Sequence, residues 1–258
     1  MTLKDILFER EGSTALVTLN RPERRNALSL QMLEELTRCF REIGEDQQLR
    51  VAILRANGPA FSAGHDLSEM VGRDGGFYRE LFEACTTLME TLQAIPQPVI
   101  AQVHATATAA GCQLVASCDL AVAAREARFA TPGVKIGLFC STPMVALSRA
   151  VGSRKAMEML LTGEAISAEE ALAAGLVTRV VPAGELAAAA RAMAAKIASS
   201  SAYVVAIGKA AFYRQLQMPQ PLAYDYAQDV MAMNAAAADA QEGMKAFLEK
   251  RAPKWCGR

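Results

Sequence analysis

The feature that most constrains the fold is a unit that occurs twice, in which an apolar strand is followed by a turn of small residues. Residues 50–56 (RVAILRA) precede the turn FSAGHDL, and residues 98–103 (PVIAQV) precede ATATAAGCQL, which leads into a helix. A long amphipathic helix, predicted from Phe77 to Ile95, separates the two units. Strands that alternate with helices pair in parallel, with the helices on the outside. The sequence therefore predicts an α/β fold with a parallel sheet.

Two further strands and another helix extend this pattern. Residues 13–20 (STALVTLN) and 119–124 (DLAVAA) are short apolar runs typical of strands. A helix is predicted to start at Ser29, a favourable N-cap, and to end near Gly44, because apolar residues recur between them at helical spacing.

The last hundred residues differ in character. Apart from a predicted strand at 176–182 (LVTRVVP), the chain from Val151 onward is rich in alanine, the residue with the highest helix propensity. We expect one domain, with residues 1–195 as its core and residues 196–258 as a helical region of the same domain that takes part in oligomerisation.

Composition excludes several classes of function. Lys and Arg together number 27, as do Asp and Glu, so the net charge is zero and a nucleic-acid partner is not expected. The six cysteines form no CxxC pair and only two histidines are present, which argues against a metal site and fits a reducing compartment. No apolar run is long enough for a membrane span, and the first residues do not resemble a signal peptide. We therefore expect neither a membrane partner nor secretion.

The two small-residue turns are the best candidates for chemistry. Each places backbone N–H groups after a strand, where they have no partner and carry a partial positive charge. Two such donors directed at one point form an oxyanion hole, which contributes roughly 3–4 kcal/mol per donor in acyl chemistry. The candidate donors are the N–H groups of His65 (SAGHD) and Ala110 (TAAGC).

Long stretches of the chain resemble the crotonase (enoyl-CoA hydratase/isomerase) superfamily, within which the subgroup it resembles is the enoyl-CoA hydratase domain-containing protein three type. Five segments carry the resemblance: NRPERRNALSLQML (20–33), VAILRANGPAFSAGHDLSEM (51–70), QPVIAQVHATATAAGCQLVASCDLAVAAREARFATPGVKIGL (97–138), RAVGSRKAMEMLLTGEAISAEEALAAGLVTRVVP (149–182) and EGMKAFLEKRAPKW (242–255). The resemblance implies a spiral of ββα units with a helical C-terminal region that builds trimers, commonly paired into hexamers. It also implies an acyl-CoA substrate with no cofactor beyond the coenzyme A that it carries. Its location would be the cytoplasm of a bacterium or, alternatively, the mitochondrial matrix.

The resemblance also implies roles for particular residues. The thioester oxygen would lie between the N–H groups of His65 and Ala110. Phe247 and Lys250 would reach a coenzyme A bound to the neighbouring subunit. The remaining residues expected to contact coenzyme A are Arg25, Ala27, Ala63, Gly64, Asp66 and Leu67.

The sequence departs from the family at the residues that handle protons. Hydratases of the family use two glutamates to activate water, and these positions are Gln113 and Gly133 here. A glutamine can hold a water but cannot accept its proton, and glycine has no side chain. Ala110 is a second departure, since most members carry glycine there, and strain is expected if the position requires a positive φ. The loop after Gly137 is a third, and it should bring Cys140 near the acyl group.

Three hypotheses follow from these departures. The protein is an enzyme that polarises the thioester carbonyl for a reaction that needs neither glutamate, such as decarboxylation or isomerisation. Alternatively, it is a hydratase with residual activity through a water held by Gln113. The third hypothesis is a catalytically silent acyl-CoA-binding or regulatory oligomer.

Several side chains admit a catalytic and a structural interpretation. The His65 imidazole can act as an acid or base, but the favoured interpretation is that only its backbone acts and that the ring lines the pocket. Cys140 would need an activating group to act as a nucleophile, and the sequence offers none nearby, while Ser141 beside it has no assigned role. Asp66 is expected to be an N-cap, and His104 to contribute packing or a hydrogen bond.

Overall fold

The computed structural model describes residues 3–258, which form an α/β fold with nine strands and eleven α-helices. The strands are β1 (Ile6–Glu11), β2 (Thr14–Leu19), β3 (Val51–Ala56), β4 (Val99–Val103), β5 (Ala107–Thr108), β6 (Leu120–Ala124), β7 (Arg128–Ala130), β8 (Ile166–Ser167) and β9 (Arg179–Val181). The helices are α1 (Leu30–Glu45), α2 (Leu67–Met70), α3 (Gly75–Ala94), α4 (Ala110–Ser117), α5 (Pro143–Ala150), α6 (Ser153–Thr162), α7 (Ala168–Ala174), α8 (Leu186–Ala198), α9 (Ala202–Gln215), α10 (Gln220–Ala236) and α11 (Ala238–Leu248). Short 3₁₀ helices lie at Pro22–Arg24, Pro132–Ile136 and Ala183–Glu185.

The main sheet has six strands in the order β1-β2-β3-β4-β6-β9. Only β1 and β2 pair antiparallel, and every later neighbour in this sheet is parallel. The prediction of a parallel sheet between helices is confirmed, and so are the strands predicted at 13–20, 50–56, 98–103, 119–124 and 176–182. The sequence did not indicate β1, nor the second sheet β5-β7-β8, whose strands have only two or three residues.

The two faces of the main sheet are covered by different helices. On one face α1, α3 and α4 contribute buried side chains such as Phe40, Leu88 and Leu114 to the larger core. On the other face α8 packs Leu186 and its buried alanines against the strands. The predicted division between residues 195 and 196 falls inside α8, and that division stays a prediction.

A buried ion pair attaches α9 to the sheet. Lys209 Nζ lies 2.8 Å from a carboxylate oxygen of Asp119, and it also donates to the carbonyls of Leu92 (2.7 Å) and Gln97 (3.0 Å). The Tyr213 hydroxyl donates to the other Asp119 oxygen at 2.9 Å. Burial lowers the pKa of Lys209, although the neighbouring carboxylate opposes this shift.

We expect Lys209→Met to lower the free energy of unfolding by about 3 kcal/mol, because it leaves the Asp119 carboxylate buried without its cation. The measurement is chemical denaturation of the intact assembly. Lys155→Met is the control, since Lys155 forms an exposed pair with Glu158, and it should have little effect. Equal effects of the two substitutions would contradict this account of how α9 is held.

The last three helices expose many large apolar side chains, which we call the C-terminal apolar surface. Its members are Phe212, Leu216, Leu222, Tyr224, Met231, Met233, Met244, Phe247 and Leu248. Exposed apolar area of this kind marks a contact surface in soluble proteins. Trp255, in contrast, is half-buried against its own chain, where its Nε1 donates to the Ser199 carbonyl at 2.8 Å and its ring lies against Gly243.

Candidate active site

The first of the two turns is tied to the loop that precedes α1. The Leu28 N–H donates to the Gly64 carbonyl (2.7 Å), and the Asp66 N–H donates to the Leu28 carbonyl (3.2 Å). Because these bonds flank His65, the His65 N–H points to the opposite side of the chain. Asp66 then caps α2, and its carboxylate accepts from the Ser68 N–H at 3.1 Å. The expected N-cap role of Asp66 is confirmed.

The second turn ends β5 and starts α4. The Ala109 N–H donates to the Ala130 carbonyl at 2.9 Å. Ala110 is the first residue of α4, so its N–H is one of the helix amides that have no partner within the helix. Within residues 3–258, neither the Ala110 N–H nor the His65 N–H has a hydrogen-bond acceptor.

The positive φ angle in this turn lies at Ala109 (φ 50°, ψ −120°) and not at Ala110. The condition under which strain was expected at Ala110 is therefore not met, because Ala110 already belongs to the helix. A non-glycine residue in such a conformation costs on the order of 1–3 kcal/mol and persists only where the surroundings fix it.

The two turns are in direct contact because glycine stands where their backbones meet. A Cβ atom at Gly64 would lie 2.8 Å from the Ala109 Cβ and 3.2 Å from the Ala110 nitrogen. A Cβ atom at Gly111 would overlap the Ser62 carbonyl oxygen. The Thr108 N–H also donates to Ser62, at 2.9 Å. The sequence pattern of two small-residue turns thus brings the 64–65 and 109–110 backbones together.

A cavity of about 390 Å³ opens beside these turns. Of the residues predicted for the site, Ala63, His65, Leu67, Ala110 and Gly133 line it. The other walls are largely apolar and comprise Met70, Phe82, Ala109, Pro132, Lys135, Ile136, Leu138, Phe139, Cys140, Ser141, Thr142 and Pro143. No aspartate or glutamate is among the described residues that line this cavity.

The two positions where hydratases carry glutamate are occupied in different ways. Gln113 is buried in α4 and is not among the cavity-lining residues; its Oε1 accepts a weak hydrogen bond from the Cys85 thiol (3.9 Å). Gly133 lines the cavity, but a Cβ atom there would overlap the Leu138 carbonyl oxygen and lie 2.8 Å from the Cys140 sulfur. The segment 138–140 therefore fills the space that a side chain at 133 would need.

The side chains of His65 and Cys140, which line the cavity, are both neutral in the folded protein near pH 7. Burial lowers the pKa of His65 to about 4, an effect that the nearby Leu28 carbonyl only partly opposes. Among residues 3–258, neither ring nitrogen has a hydrogen-bond partner. The ring packs edge-on against Phe82, with centroids 5.4 Å apart. Burial raises the pKa of the Cys140 thiol, so a thiolate nucleophile is not supported.

The lowered pKa of His65 gives a pH dependence with a definite sign. Above pH 6.5 the ring is neutral both folded and unfolded, whereas below it the unfolded chain takes up a proton that the folded protein does not. We expect this residue to remove about 2 kcal/mol of stability between pH 7 and pH 5. The measurement is the unfolding free energy at both pH values for the wild type and for His65→Leu, in which this loss should be absent. An identical pH dependence of the two proteins would contradict the assignment.

The residues expected to contact coenzyme A fall into two groups. Arg25 has an exposed side chain, and its carbonyl accepts from the Ala63 N–H (3.0 Å), so the 25–27 loop and the first turn are neighbours. Phe247 and Lys250 lie at the end of α11, where Phe247 is 83 % exposed, and neither lines the cavity of its own chain. Their predicted contact is with another subunit and stays a prediction, as do the roles of Arg25 and Ala27.

Sequence reasoning missed a polar network behind the first turn. Arg21 lies 3.1 Å from an Asp66 carboxylate oxygen, and the buried Asn26 donates to the carbonyls of Asn57 and Ala60. Burial alone would raise the pKa of Asp66, but hydrogen bonds from Ser68 and Arg21 outweigh it and hold the pKa below its ordinary value. The sequence NRPERRN (20–26) could have indicated this loop, because asparagine tolerates the positive φ (52°) that Asn26 adopts.

His104, the other histidine, lies outside the cavity lining. Its Nε2 is 2.8 Å from the Gly58 carbonyl, which confirms the expected hydrogen-bonding role. Among residues 3–258, no cluster of three or more His, Cys, Asp or Glu side chains is arranged to hold a metal ion. None of the described helices is both long enough and apolar enough to cross a bilayer.

Comparison with known proteins extends over nearly the whole chain. The family model described as enoyl-CoA hydratase/isomerase matches residues 9–258. The rat mitochondrial enoyl-CoA hydratase domain-containing protein 3 is 51 % identical over 240 residues, which cover 93 % of this chain and 80 % of the relative. A Mycobacterium smegmatis enoyl-CoA hydratase structure superposes with a TM-score of 0.96 at 50 % identity, covering 98 % of this chain and 99 % of that one. The human domain-containing protein 3 structure gives a TM-score of 0.95 at 47 % identity, covering 98 % and 100 %.

The match spans both turns, the cavity and the C-terminal helices, and the solved relatives share the whole fold. The chain therefore belongs to the enoyl-CoA hydratase/isomerase, or crotonase, family.

Proposed function

We propose that this protein binds an acyl-CoA thioester whose carbonyl oxygen accepts hydrogen bonds from the N–H groups of His65 and Ala110, and that its reaction is not the classical hydration. The observation that carries the proposal is the pair of partnerless N–H groups on two touching turns beside an apolar cavity. Donors fixed in this way stabilise the negative charge that develops on the oxygen. Because they are already in position, they do not have to reorganise during the reaction. The absence of a carboxylate from the described residues that line the cavity supports the second half of the proposal.

The chemistry that fits is enolate-type polarisation of the thioester. Hydrogen bonds to the carbonyl oxygen acidify the α-carbon, which is the step that isomerisation requires. A proton acceptor is still needed, and the neutral His65 imidazole is the one unprotonated nitrogen base among the described cavity residues. With a pKa of about 4 it is a weak base, so the expected turnover is slow.

A catalytically silent acyl-CoA-binding oligomer is the second candidate. It is favoured by the raised pKa of Cys140 and the lowered pKa of His65, because both shifts remove proton-transfer capacity near neutrality. The C-terminal apolar surface supports self-association in either case, as a homotrimer or a dimer of trimers. In such an assembly Phe247 and Lys250 would complete the coenzyme A site of a neighbouring subunit. The compartment, a bacterial cytoplasm or the mitochondrial matrix, remains a prediction.

Binding is tested by calorimetric titration with butanoyl-CoA and with its thioether analogue S-butyl-CoA, which lacks the carbonyl oxygen. Two hydrogen bonds that each contribute about 0.5–1.5 kcal/mol should make the thioester bind roughly 5- to 150-fold more tightly. Equal affinities would refute the role of the two N–H groups. Failure of both ligands to bind more tightly than free coenzyme A would refute an acyl site altogether.

The enzymatic and silent candidates are separated by proton exchange. When octanoyl-CoA is incubated with the protein in D₂O, an enzyme that polarises the thioester should introduce deuterium at the α-carbon, which mass spectrometry detects. His65→Leu should abolish that exchange while retaining the backbone N–H. Binding without any exchange would favour the silent candidate.

A further inference from the structure

Resting on the proposed function, we infer that Tyr78 is a positioning residue for the acyl side of the site. Its hydroxyl donates to the Met70 carbonyl at 2.8 Å, and Met70 lines the cavity. Tyr78 itself is not among the described residues that line the cavity, so it acts through the main chain of α2 and not on the substrate. The hydrogen bond joins α3 to the last residue of α2.

Helix α2 forms one wall of the cavity but is too short to fix its own position. It has only four residues, of which Leu67 and Met70 line the cavity. A single helical turn is not stable without contacts from the rest of the fold. Asp66 caps its start, and the Glu69 carboxylate accepts from the Leu30 N–H at 3.0 Å. The position of Met70, at the other end, therefore depends on contacts made beyond the helix.

The segment that follows α2 gives Met70 little further support. Residues 71–76 are all exposed, and Gly72 has a φ angle of 73°, in the left-handed region that glycine adopts readily. The Met70 carbonyl has one other donor among residues 3–258, the Arg73 N–H, at the longer distance of 3.4 Å. The Tyr78 hydroxyl therefore makes the shorter of the two hydrogen bonds that hold the end of α2.

Tyr78 is itself well fixed. It lies in the first turn of α3, where the Asp74 side chain caps the helix by accepting from the Phe77 N–H at 2.9 Å. Phe82 follows four residues later on the same face of α3, lines the cavity and packs against the His65 ring. The Tyr78 ring is half-buried and packs against the main hydrophobic core. Its hydroxyl thus connects a firmly packed helix to the less supported end of the cavity wall.

A wall that is in place before the ligand arrives favours the part of the ligand that touches it. Without the hydroxyl, the end of α2 would have to become ordered on binding, and the free energy of that step would weaken the affinity. This loss applies to acyl groups that reach Met70. It does not apply to free coenzyme A, whose predicted contacts lie at residues 63–67 and in the 25–27 loop. The selective loss distinguishes a positioning role from a general effect on stability.

Tyr78→Phe tests the inference, because it removes the hydroxyl and keeps the ring. Calorimetric titration of the intact assembly should show octanoyl-CoA binding about three- to tenfold more weakly than to the wild type, which corresponds to one net hydrogen bond. The affinity for free coenzyme A should be unchanged. Tyr203→Phe is the matched control, since Tyr203 is half-buried, donates no side-chain hydrogen bond within residues 3–258 and does not line the cavity. It should change neither affinity.

Amide hydrogen exchange of the ligand-free protein gives a second measurement. The Val71 and Arg73 amides, which donate to the Leu67 and Met70 carbonyls, should exchange about three- to tenfold faster in Tyr78→Phe than in the wild type. Tyr203→Phe should leave both rates unchanged.

Three outcomes would overturn the inference. The first is wild-type affinity of Tyr78→Phe for octanoyl-CoA, whatever the exchange rates show. The second is an equal loss of affinity for octanoyl-CoA and for free coenzyme A, which would indicate a general structural role. The third is unchanged exchange at both amides. The proposed function fails separately, when butanoyl-CoA and S-butyl-CoA bind to the wild-type protein with equal affinity.

Discussion

Hydration of crotonyl-CoA by this protein is expected to be about two to four orders of magnitude slower than hydration by a family member that carries both glutamates. The reaction requires a base to take a proton from water and an acid to return one to the α-carbon. Neither is present at the usual positions, since Gln113 is an amide and Gly133 has no side chain. In the proposed binding mode the two N–H groups stabilise the oxygen of the thioester, but they cannot move that proton.

The alternative of a water held by Gln113 is also testable. Its Oε1 already faces the Cys85 thiol in the interface between α3 and α4, and Gln113 does not line the cavity. We therefore expect Gln113→Leu to leave the residual hydration rate unchanged. The measurement is the fall in enoyl-thioester absorbance at high protein concentration, with a glutamate-containing relative as reference. A rate within tenfold of that relative, or a rate that collapses in Gln113→Leu, would contradict this account.

Gly133→Ala is expected to lower the free energy of unfolding by about 3 kcal/mol, at the upper end of the range for an added buried methyl group. The new Cβ would overlap a backbone carbonyl, that of Leu138, and a backbone atom cannot yield as a flexible side chain can. If the protein folds by displacing the 138–140 segment, the acyl wall moves with it. In that case we expect affinity for octanoyl-CoA to fall by at least about tenfold.

Gly184→Ala is the matched control for this substitution. Apart from its two chain neighbours, no described residue has a heavy atom within 4 Å of the Cβ position at Gly184, and its φ angle is not in the left-handed region. Stability should therefore change by less than about 0.5 kcal/mol. Denaturation of both variants and titration with octanoyl-CoA give the comparison. A Gly133→Ala variant as stable and as tight-binding as Gly184→Ala would show that the 138–140 segment is not packed as described.

The same clash explains why restoring the hydratase glutamates is not a simple exchange of side chains. From the sequence alone, Gly133 is a position that lacks a carboxylate. In the structure it is a position that excludes every side chain while the 138–140 segment keeps its conformation. A glutamate at 133 therefore requires a different loop as well.

Much of the fold was predictable because its central strands are buried on both faces. Such strands read as continuous apolar runs, as in residues 51–54 (VAIL) and 99–101 (VIA). β1 was not found, because five of its six residues are partly or fully exposed and only Ile6 is buried. β5 and β8 have two residues each, too few for any period to be recognised.

Part of the site could be predicted, because a glycine-containing turn between a strand and a helix can be located from the sequence. The turns that carry His65 and Ala110 were identified in this way, and the structure brings them into contact, whereas the role of their N–H groups stays a prediction. The positive φ lies at Ala109 and not at Ala110, the position considered from the sequence, because the first residue of a helix cannot be predicted from sequence to within one residue. The orientation of Gln113 and the position of the 138–140 segment depend on tertiary packing, which local sequence patterns do not predict.

The most direct test of the account is an isotope-edited infrared difference spectrum of bound octanoyl-CoA labelled with ¹³C at the thioester carbonyl. Two hydrogen bonds from fixed donors should weaken the C=O bond and move its stretching band to lower frequency than that of the same thioester in water. Gly64→Ala should reverse the shift, because its Cβ would intrude between the two turns, 3.2 Å from the Ala110 nitrogen. A bound carbonyl band at or above the aqueous frequency in the wild-type protein would contradict the central claim.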